Sequence, residues 1–318
     1  MSGKVLIPQD IALEGKEFLT ERGYEIKMGS GVSEADIGRD VQDCDAILLR
    51  TAPVGKAVLE AGKNLKIVAR HGAGYNNIDL AVASQLGIWV TNTPDATTTS
   101  VAEFTIGAIA AAAKRTVLLH KAMLDSNFYY KNSHKGMDLY QKTLGIIGFG
   151  RIGREVAKKA SLAFDMKVIA YGPHLTEDSL PDYVSLASWE QIFQQSDFIS
   201  LHVPLTSGTS EMVGEKEFDL MKKSAYLINC ARGEVVCELA LAKAVESGKI
   251  AGAFIDVFHQ EPPQKDNPLL SLEQVVVTPH MASNTEECMI KMAVQAAAQI
   301  DLVLSGKRPS WPVNCPVL

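Results

Sequence analysis

The chain has 318 residues, of which 47% are hydrophobic and 21% charged, with a formal net charge of −6. That length accommodates two domains with substantial cores, and mild acidity without a Lys/Arg stripe argues against nucleic acid or an anionic membrane as partner. Five scattered cysteines, Cys44, Cys230, Cys237, Cys288 and Cys315, show neither the paired spacing of a disulfide framework nor that of a zinc site, so a reducing cytoplasm and no metal are expected.

Met1-Ser2-Gly3-Lys4 leads straight into the strand-like Val5-Leu6-Ile7, with no segment of signal-peptide length, so export is not expected. Apolar runs at 5–7, 24–28, 46–49, 66–69 and 88–91 alternate with helical patterns at 12–22, 34–41 and 80–86. Strands alternating with helices imply right-handed crossovers and a parallel sheet. The polar run Pro94-Asp95-Ala96-Thr97-Thr98-Thr99-Ser100 then precedes an Ala-rich helical pattern that continues to Leu124. Ser100 is the expected N-cap, with Glu103 as its capping-box partner. The most apolar part of this helix, 104–113, is far shorter than the roughly 20 residues a membrane span needs, and reads as a packing helix.

A second strand–helix series begins near Thr143 and continues through runs at 166–171, 198–203, 225–229, 250–256 and 275–278, before a final helix at 285–304. The tail Arg308-Pro309-Ser310-Trp311-Pro312 is expected to return to the first domain. The expected fold class is therefore α/β, with two doubly wound parallel-sheet domains. A flavodoxin-like substrate domain comprises residues 1–97 plus 286–318, and residues 98–285 form an inserted Rossmann dinucleotide-binding domain. Connections near 97 and 285 would form a hinge, and the cleft between the domains is the expected active site.

Gly148-Phe149-Gly150-Arg151-Ile152-Gly153 follows the strand-like Thr143-Leu144-Gly145-Ile146-Ile147 and opens a helical pattern. In that context the first Gly permits a tight turn, the second lets a pyrophosphate approach the backbone, and the third allows close helix–strand packing. The acid expected about 20 positions on, to receive the adenine ribose hydroxyls, is absent. That position reads Tyr171-Gly172-Pro173-His174. NAD is the favoured cofactor, and NADP stays open, with Arg151 or His174 available to a 2′-phosphate.

Arg232, Glu261 and His280 each follow an apolar run of the second series. Open parallel sheets bind ligands at their strand carboxyl ends. An imidazole beside a carboxylate is a tunable proton donor, and a guanidinium can hold a substrate carboxylate with two parallel hydrogen bonds.

Together these residues resemble the D-isomer-specific 2-hydroxyacid dehydrogenase family over nearly the whole chain. The resemblance rests on Arg70-His71-Gly72-Ala73-Gly74-Tyr75-Asn76-Asn77-Ile78-Asp79, on Asn92-Thr93-Pro94 with Val101-Ala102-Glu103, and on the glycine fingerprint. It rests also on His202-Val203-Pro204-Leu205-Thr206, Asn229-Cys230-Ala231-Arg232-Gly233, Asp256-Val257-Phe258, Glu261-Pro262 and Thr278-Pro279-His280. It implies hydride transfer between a nicotinamide and C2 of a 2-hydroxy or 2-keto acid, with His280 as acid/base, Glu261 orienting it and Arg232 binding the substrate carboxylate. The amides of Gly72, Ala73 and Gly74 would receive the other side of that carboxylate. Asp256 would meet the nicotinamide carboxamide, the alternative being a strand-end cap. Gly148, Gly150 and Gly153 would form the cofactor-binding turn, Arg151 and Ile152 would lie over the pyrophosphate, and Val203, Cys230, Ala231 and Ser283 would line the cofactor site.

Cys230 is read as a small lining residue and not a nucleophile, and His71 and His202 as packing or loop residues. The Ala-rich helix resembles the family's dimerisation element, implying a homodimer, or else is a core helix of one subunit. Arg50, at a strand end of the first domain, matches a position associated with the distal phosphate in phosphoglycerate dehydrogenases. The leading substrate pair is therefore 3-phosphoglycerate/3-phosphohydroxypyruvate, with hydroxypyruvate, glyoxylate or pyruvate as runners-up. The sequence shows no regulatory domain of the kind some phosphoglycerate dehydrogenases carry, so end-product feedback there is not expected. A nicotinamide-binding corepressor and a dehydrogenase that oxidises a donor such as formate or phosphite at the same cofactor site are the other classes compatible with the motifs.

Overall fold

The computed structural model describes residues 3–316; Met1-Ser2, with the start of the chain read above, and Val317-Leu318 lie outside that range. The chain divides into two compact units, Met1–Thr97 with Asn284–Leu318, and Thr98–Ser283. In chain order the first stretch holds β1 (Lys4–Ile7), α1 (Leu13–Thr20), β2 (Glu25–Met28), α2 (Glu34–Asp40), β3 (Ala46–Leu49), α3 (Lys56–Ala61), β4 (Ile67–Arg70), α4 (Leu80–Gln85) and β5 (Trp89–Thr91). The inserted stretch holds α5 (Thr98–Lys114), α6 (Thr116–Leu124), β6 (Thr143–Ile147), α7 (Arg151–Phe164), β7 (Lys167–Tyr171), β8 (Val184–Leu186), α8 (Trp189–Gln195), β9 (Phe198–Leu201), α9 (Glu215–Leu220), β10 (Tyr226–Asn229), α10 (Glu238–Glu246), β11 (Gly252–Ile255) and β12 (Val275–Val277). The chain then returns to the first unit through α11 (Glu286–Leu304).

The first unit is a five-stranded parallel sheet in the order β2-β1-β3-β4-β5, the flavodoxin-like arrangement. Helices cover both faces, which is why β3 reads as an unbroken apolar run, Ala46-Ile47-Leu48-Leu49, every residue buried. Leu6, Ile47 and Leu49 pack on one face with Ile37, Val58 and Val90. Val5, Ile7, Ala46 and Leu48 pack on the other with Ala293, Ala297 and Ile300 of α11. This is the period-two alternation of a strand buried on both sides.

After α11 the chain runs along β5. Thr91 and Pro312 form an antiparallel bridge, the Val313 amide donates to the Val90 carbonyl at 2.9 Å, and the Asn314 side chain accepts from the Val90 amide at 2.8 Å. This tail covers the sheet edge that β5 would otherwise present.

The second unit is a seven-stranded parallel sheet in the order β12-β11-β10-β9-β6-β7-β8. This is a Rossmann order extended by one strand, with its topological switch point between β6 and β9. Ile146, Val168, Phe198 and Ile228 pack against Ile109 and Ala112 of α5 and Val156 of α7. Ile147, Ile199, Leu201 and Leu227 pack against Phe193, Phe218 and Leu241 on the opposite face. Among the described residues no helix is long and apolar enough to cross a membrane.

Two local expectations are corrected. The Ala-rich helix starts at Thr98, so Ser100 lies in its first turn and does not cap it. Nor is it one helix to Leu124: Arg115 takes a left-handed conformation (φ 53°, ψ 32°) and separates α5 from α6. The break falls where the Ala113 carbonyl accepts the Met137 amide at 2.8 Å, a partner from a later loop in place of a helical one. Strand β8 and helix α3 are elements that the apolar pattern did not disclose.

Candidate active site

The glycine turn sits at the switch point. Ile147 and Leu201 are paired across β6 and β9, and the next residues, Gly148 and His202, approach so closely that a Cβ on Gly148 would lie 2.6 Å from the His202 carbonyl. Gly148 is also left-handed (φ 93°). A Cβ on Gly153 would lie 2.3 Å from the Gly148 carbonyl, so this position fixes the closeness of α7 to β6. Around Gly150 a Cβ would meet nothing within 4 Å, leaving backbone that a ligand can approach. The first turn of α7 then offers N–H groups that no intrahelical carbonyl can accept, together with the positive end of the helix dipole. Arg151 is exposed and Ile152 partly buried at the start of that helix. These residues fit a dinucleotide pyrophosphate.

At the carboxyl ends of the neighbouring strands the polar residues gather. His280 Nδ1 and Glu261 Oε2 are 2.8 Å apart, both side chains near half exposure. The other Glu261 oxygen accepts the Phe258 amide at 3.1 Å, which fixes the carboxylate. Burial pushes the Glu261 carboxyl up, but the hydrogen bond and charge of His280, the Phe258 amide and Arg232 together outweigh it and hold the group below its usual value. His280 has a left-handed backbone (φ 55°), and its amide donates to the Asp256 carbonyl at 2.8 Å. A non-glycine residue held there is the kind of local strain that clusters at functional sites.

Asp256, fully buried just after β11, accepts from the Thr278 hydroxyl at 2.5 Å, the Met281 amide at 2.8 Å and the Ala282 amide at 2.9 Å. The carboxylate thus gathers the loop that carries His280. Arg232 follows β10 in extended conformation, with Nη1 donating to the Ala231 carbonyl at 2.6 Å. Burial pulls its guanidinium below the usual value and the Glu234 and Glu261 carboxylates offset part of this; an arginine stays charged regardless. The Asn229 side chain ties this turn together, accepting from the Ala231 amide at 3.0 Å and donating to the Arg232 carbonyl at 2.9 Å.

Val203, Ala231 and Ser283 are partly buried in the same unit. Burial, with a contribution from the Asp256 charge, pushes the Cys230 thiol up to about 12, so a thiolate there is disfavoured. His202 hydrogen-bonds Ser200 Oγ at 2.9 Å, and burial pushes it down to about 4.

In the first unit, Arg50 follows β3 and donates to the Asp10 carbonyl at 2.9 Å. Gly72, left-handed at φ 137°, turns the chain after β4. Its amide is engaged by the Thr93 hydroxyl at 2.9 Å, so of the three loop amides only those of Ala73 and Gly74 lack an acceptor among the described residues. Thr93 and Asn92, which donates to the Ala73 carbonyl at 2.7 Å, are loop-holding residues that sequence reasoning named only as part of a motif.

A Rossmann sheet with a close-packed glycine turn, an imidazole–carboxylate pair and a partly buried arginine whose charge reaches that carboxylate fit a nicotinamide-dinucleotide-binding α/β protein. Residues 106–282 match the family model "D-isomer specific 2-hydroxyacid dehydrogenase, NAD binding domain". The chain is 39% identical over 316 residues to D-3-phosphoglycerate dehydrogenase of Methanocaldococcus jannaschii, covering 98% of this chain and 60% of that protein. It is 39% identical over 326 residues to glyoxylate reductase of Korarchaeum cryptofilum, covering 100% and 98%. The crystal structure of the TT0316 protein from Thermus thermophilus superposes with a TM-score of 0.89 at 32% identity, covering 98% and 99%. The chain belongs to the D-isomer specific 2-hydroxyacid dehydrogenase family, and its second unit contains the family's NAD-binding domain. It spans 60% of the length of the first of these relatives.

Proposed function

We propose that the protein is an NAD(P)-dependent D-2-hydroxyacid dehydrogenase, and the observation that carries this reading is the 2.8 Å His280–Glu261 pair in the NAD-binding unit. A bound nicotinamide supplies or accepts the hydride. In the reductive direction His280 gives its proton to the oxygen on C2 of the keto acid, and in oxidation takes it back. Glu261 holds the imidazole through Nδ1, which leaves Nε2 for the substrate, and its charge stabilises the imidazolium. Arg232 binds the substrate carboxylate and polarises the keto oxygen. The Ala73 and Gly74 amides of the first unit are assigned to substrate-carboxylate binding, with Gly72 serving as the turn. Gly150, Arg151 and Ile152 lie against the pyrophosphate, Gly148 and Gly153 shape the turn that receives it, and Val203, Cys230, Ala231, Asp256 and Ser283 frame the nicotinamide end.

The leading substrate is 3-phosphohydroxypyruvate and its reduced partner, supported by Arg50 and by the relative from M. jannaschii. The end-to-end match to a glyoxylate reductase supports a smaller keto acid as the second reading. A homodimer belongs to the same proposal, supported by the exposed apolar side chains Val117, Met123, Leu124, Phe128 and Tyr129 on and after α6. So does a cytoplasmic location, supported by five cysteines that are all free.

The test is loss of nicotinamide absorbance when the purified protein meets NADH or NADPH with 3-phosphohydroxypyruvate, hydroxypyruvate, glyoxylate or pyruvate. Turnover that disappears in His280→Ala is expected. Tight dinucleotide binding without turnover would point to a regulator. An unchanged KM for 3-phosphohydroxypyruvate in Arg50→Ala would remove the phosphorylated substrate.

A further inference from the structure

The loop assigned above to the substrate carboxylate has an unusual support. Gly72 leaves β4 with φ 137°, and a Cβ there would lie 2.5 Å from an Arg70 nitrogen, so the turn depends on a residue that is intrinsically free to move. Two consecutive residues after β5 hold it. Thr93, fully buried, accepts the Gly72 amide at 2.9 Å through its hydroxyl, while its own amide donates to the Gly72 carbonyl at 3.0 Å. Asn92 donates from its side chain to the Ala73 carbonyl at 2.7 Å. Two of these three hydrogen bonds hold the carbonyls of the peptide groups that carry the unclaimed Ala73 and Gly74 amides, and the third holds the peptide group before them.

The brace is itself braced. The Asn92 amide donates to the Trp311 carbonyl at 3.3 Å. The tail is gripped in turn by Gln299, buried on α11, whose side-chain oxygen accepts the Ser310 amide at 2.7 Å and the Trp311 amide at 3.3 Å. A continuous run of hydrogen bonds thus links α11, the tail, the end of β5 and the glycine loop, all inside one unit.

We infer that Asn92 and Thr93 are positioning residues for substrate-carboxylate binding, holding the Ala73 and Gly74 amides in a preformed anion-receiving arrangement, with the Gln299–Trp311 tail contact as their anchor. The inference rests on the dehydrogenase reading. A loop that must be ordered on binding weakens affinity by the population of its competent form, and a brace removes that cost in advance. The carboxylate is present in ground and transition states alike, so the loss of the brace falls on KM more than on kcat.

The experiment is steady-state kinetics on the full chain with the best keto acid, alongside NADH dissociation constants measured by fluorescence. Thr93→Val keeps the shape of the side chain but strands the Gly72 amide, and a KM rise of about tenfold is expected, the size of one buried hydrogen bond. kcat should stay within about threefold and NADH affinity should not change. Thr93→Ser, which restores the hydroxyl, should return KM to near its original value. Asn92→Asp, which accepts where Asn92 donates, gives an independent second variant with the same expected split. A KM unchanged in both Thr93→Val and Asn92→Asp, or a loss confined to kcat, would overturn the positioning role. Absence of turnover in the unaltered protein would overturn the dehydrogenase reading, and this inference with it.

Discussion

Gly172 directly follows β7, where the family of Rossmann turns ordinarily carries an acid for the adenine ribose. A Cβ there would come within 3.1 Å of the Leu175 side chain, a contact that a small rotation relieves, so the position can carry a side chain. Gly172→Asp should therefore select against the 2′-phosphate of NADPH, raising its dissociation constant at least about tenfold by like-charge repulsion while leaving NADH unchanged or improved. Fluorescence titration of both cofactors measures this. Equal losses for the two would mean that the ribose does not reach this residue. Glu261 allows a second residue-scale test. Glu261→Gln retains an acceptor for His280 Nδ1 but removes the charge beside it, and kcat should fall about 100-fold, the scale of a general acid–base contribution, with cofactor affinity unchanged. A kcat within about twofold of the original would take Glu261 out of the proton path.

At the scale of elements, the break between α5 and α6 has a cost that can be measured. Arg115 occupies the left-handed region (φ 53°), which L-residues with a Cβ enter at roughly 1–2 kcal/mol. Arg115→Gly should stabilise the fold by roughly 0.5 kcal/mol after the greater freedom of glycine in the unfolded chain is counted, whereas Ala110→Gly inside α5 should cost about 1 kcal/mol. Urea midpoints for the two variants should move in opposite directions. This break was hidden from the sequence because the partner of the Ala113 carbonyl there, the Met137 amide, comes from a later loop, while the local pattern around Arg115 is uniformly helical. Buried strands such as β3 were legible because helices on both faces demand unbroken apolar runs. Strand β8 was not, since two of its three residues are exposed. The site divides in the same way. Arg232, Glu261 and His280 were visible as polar residues following apolar runs, and the topology brings Glu261 and His280 together. That the Gly72 amide is already engaged by Thr93 depends on β4 and β5 lying side by side, which no local pattern states.

For the whole molecule, each unit contains one histidine that the fold keeps neutral. His71 is buried in the first, where burial, then the charges of Arg50 and Arg70, push it down to about 4; His202 in the second is pushed to about 4 by burial. In the unfolded chain both titrate near 6.5. Between pH 6.5 and 4 the unfolded state therefore binds protons that the native state refuses, so stability rises with pH across this window and falls as acid is added. For His71 the displacement corresponds to roughly 3 kcal/mol, fully lost once pH drops below about 4. Glu261 acts in the same direction further into acid, since its lowered value makes its contribution present above the ordinary carboxylate range and lost as pH falls through the folded value; its partial exposure keeps that contribution small. Urea unfolding at pH 7 and pH 4.5 should show a marked loss at the lower pH. His71→Gln keeps a donor within reach of the Met289 carbonyl, which His71 Nε2 meets at 3.3 Å, but it has no proton to gain. It should flatten the pH dependence of the first unit while leaving that of the second. A His71→Gln protein that loses stability in acid as steeply as the original would show that burial does not hold this imidazole neutral.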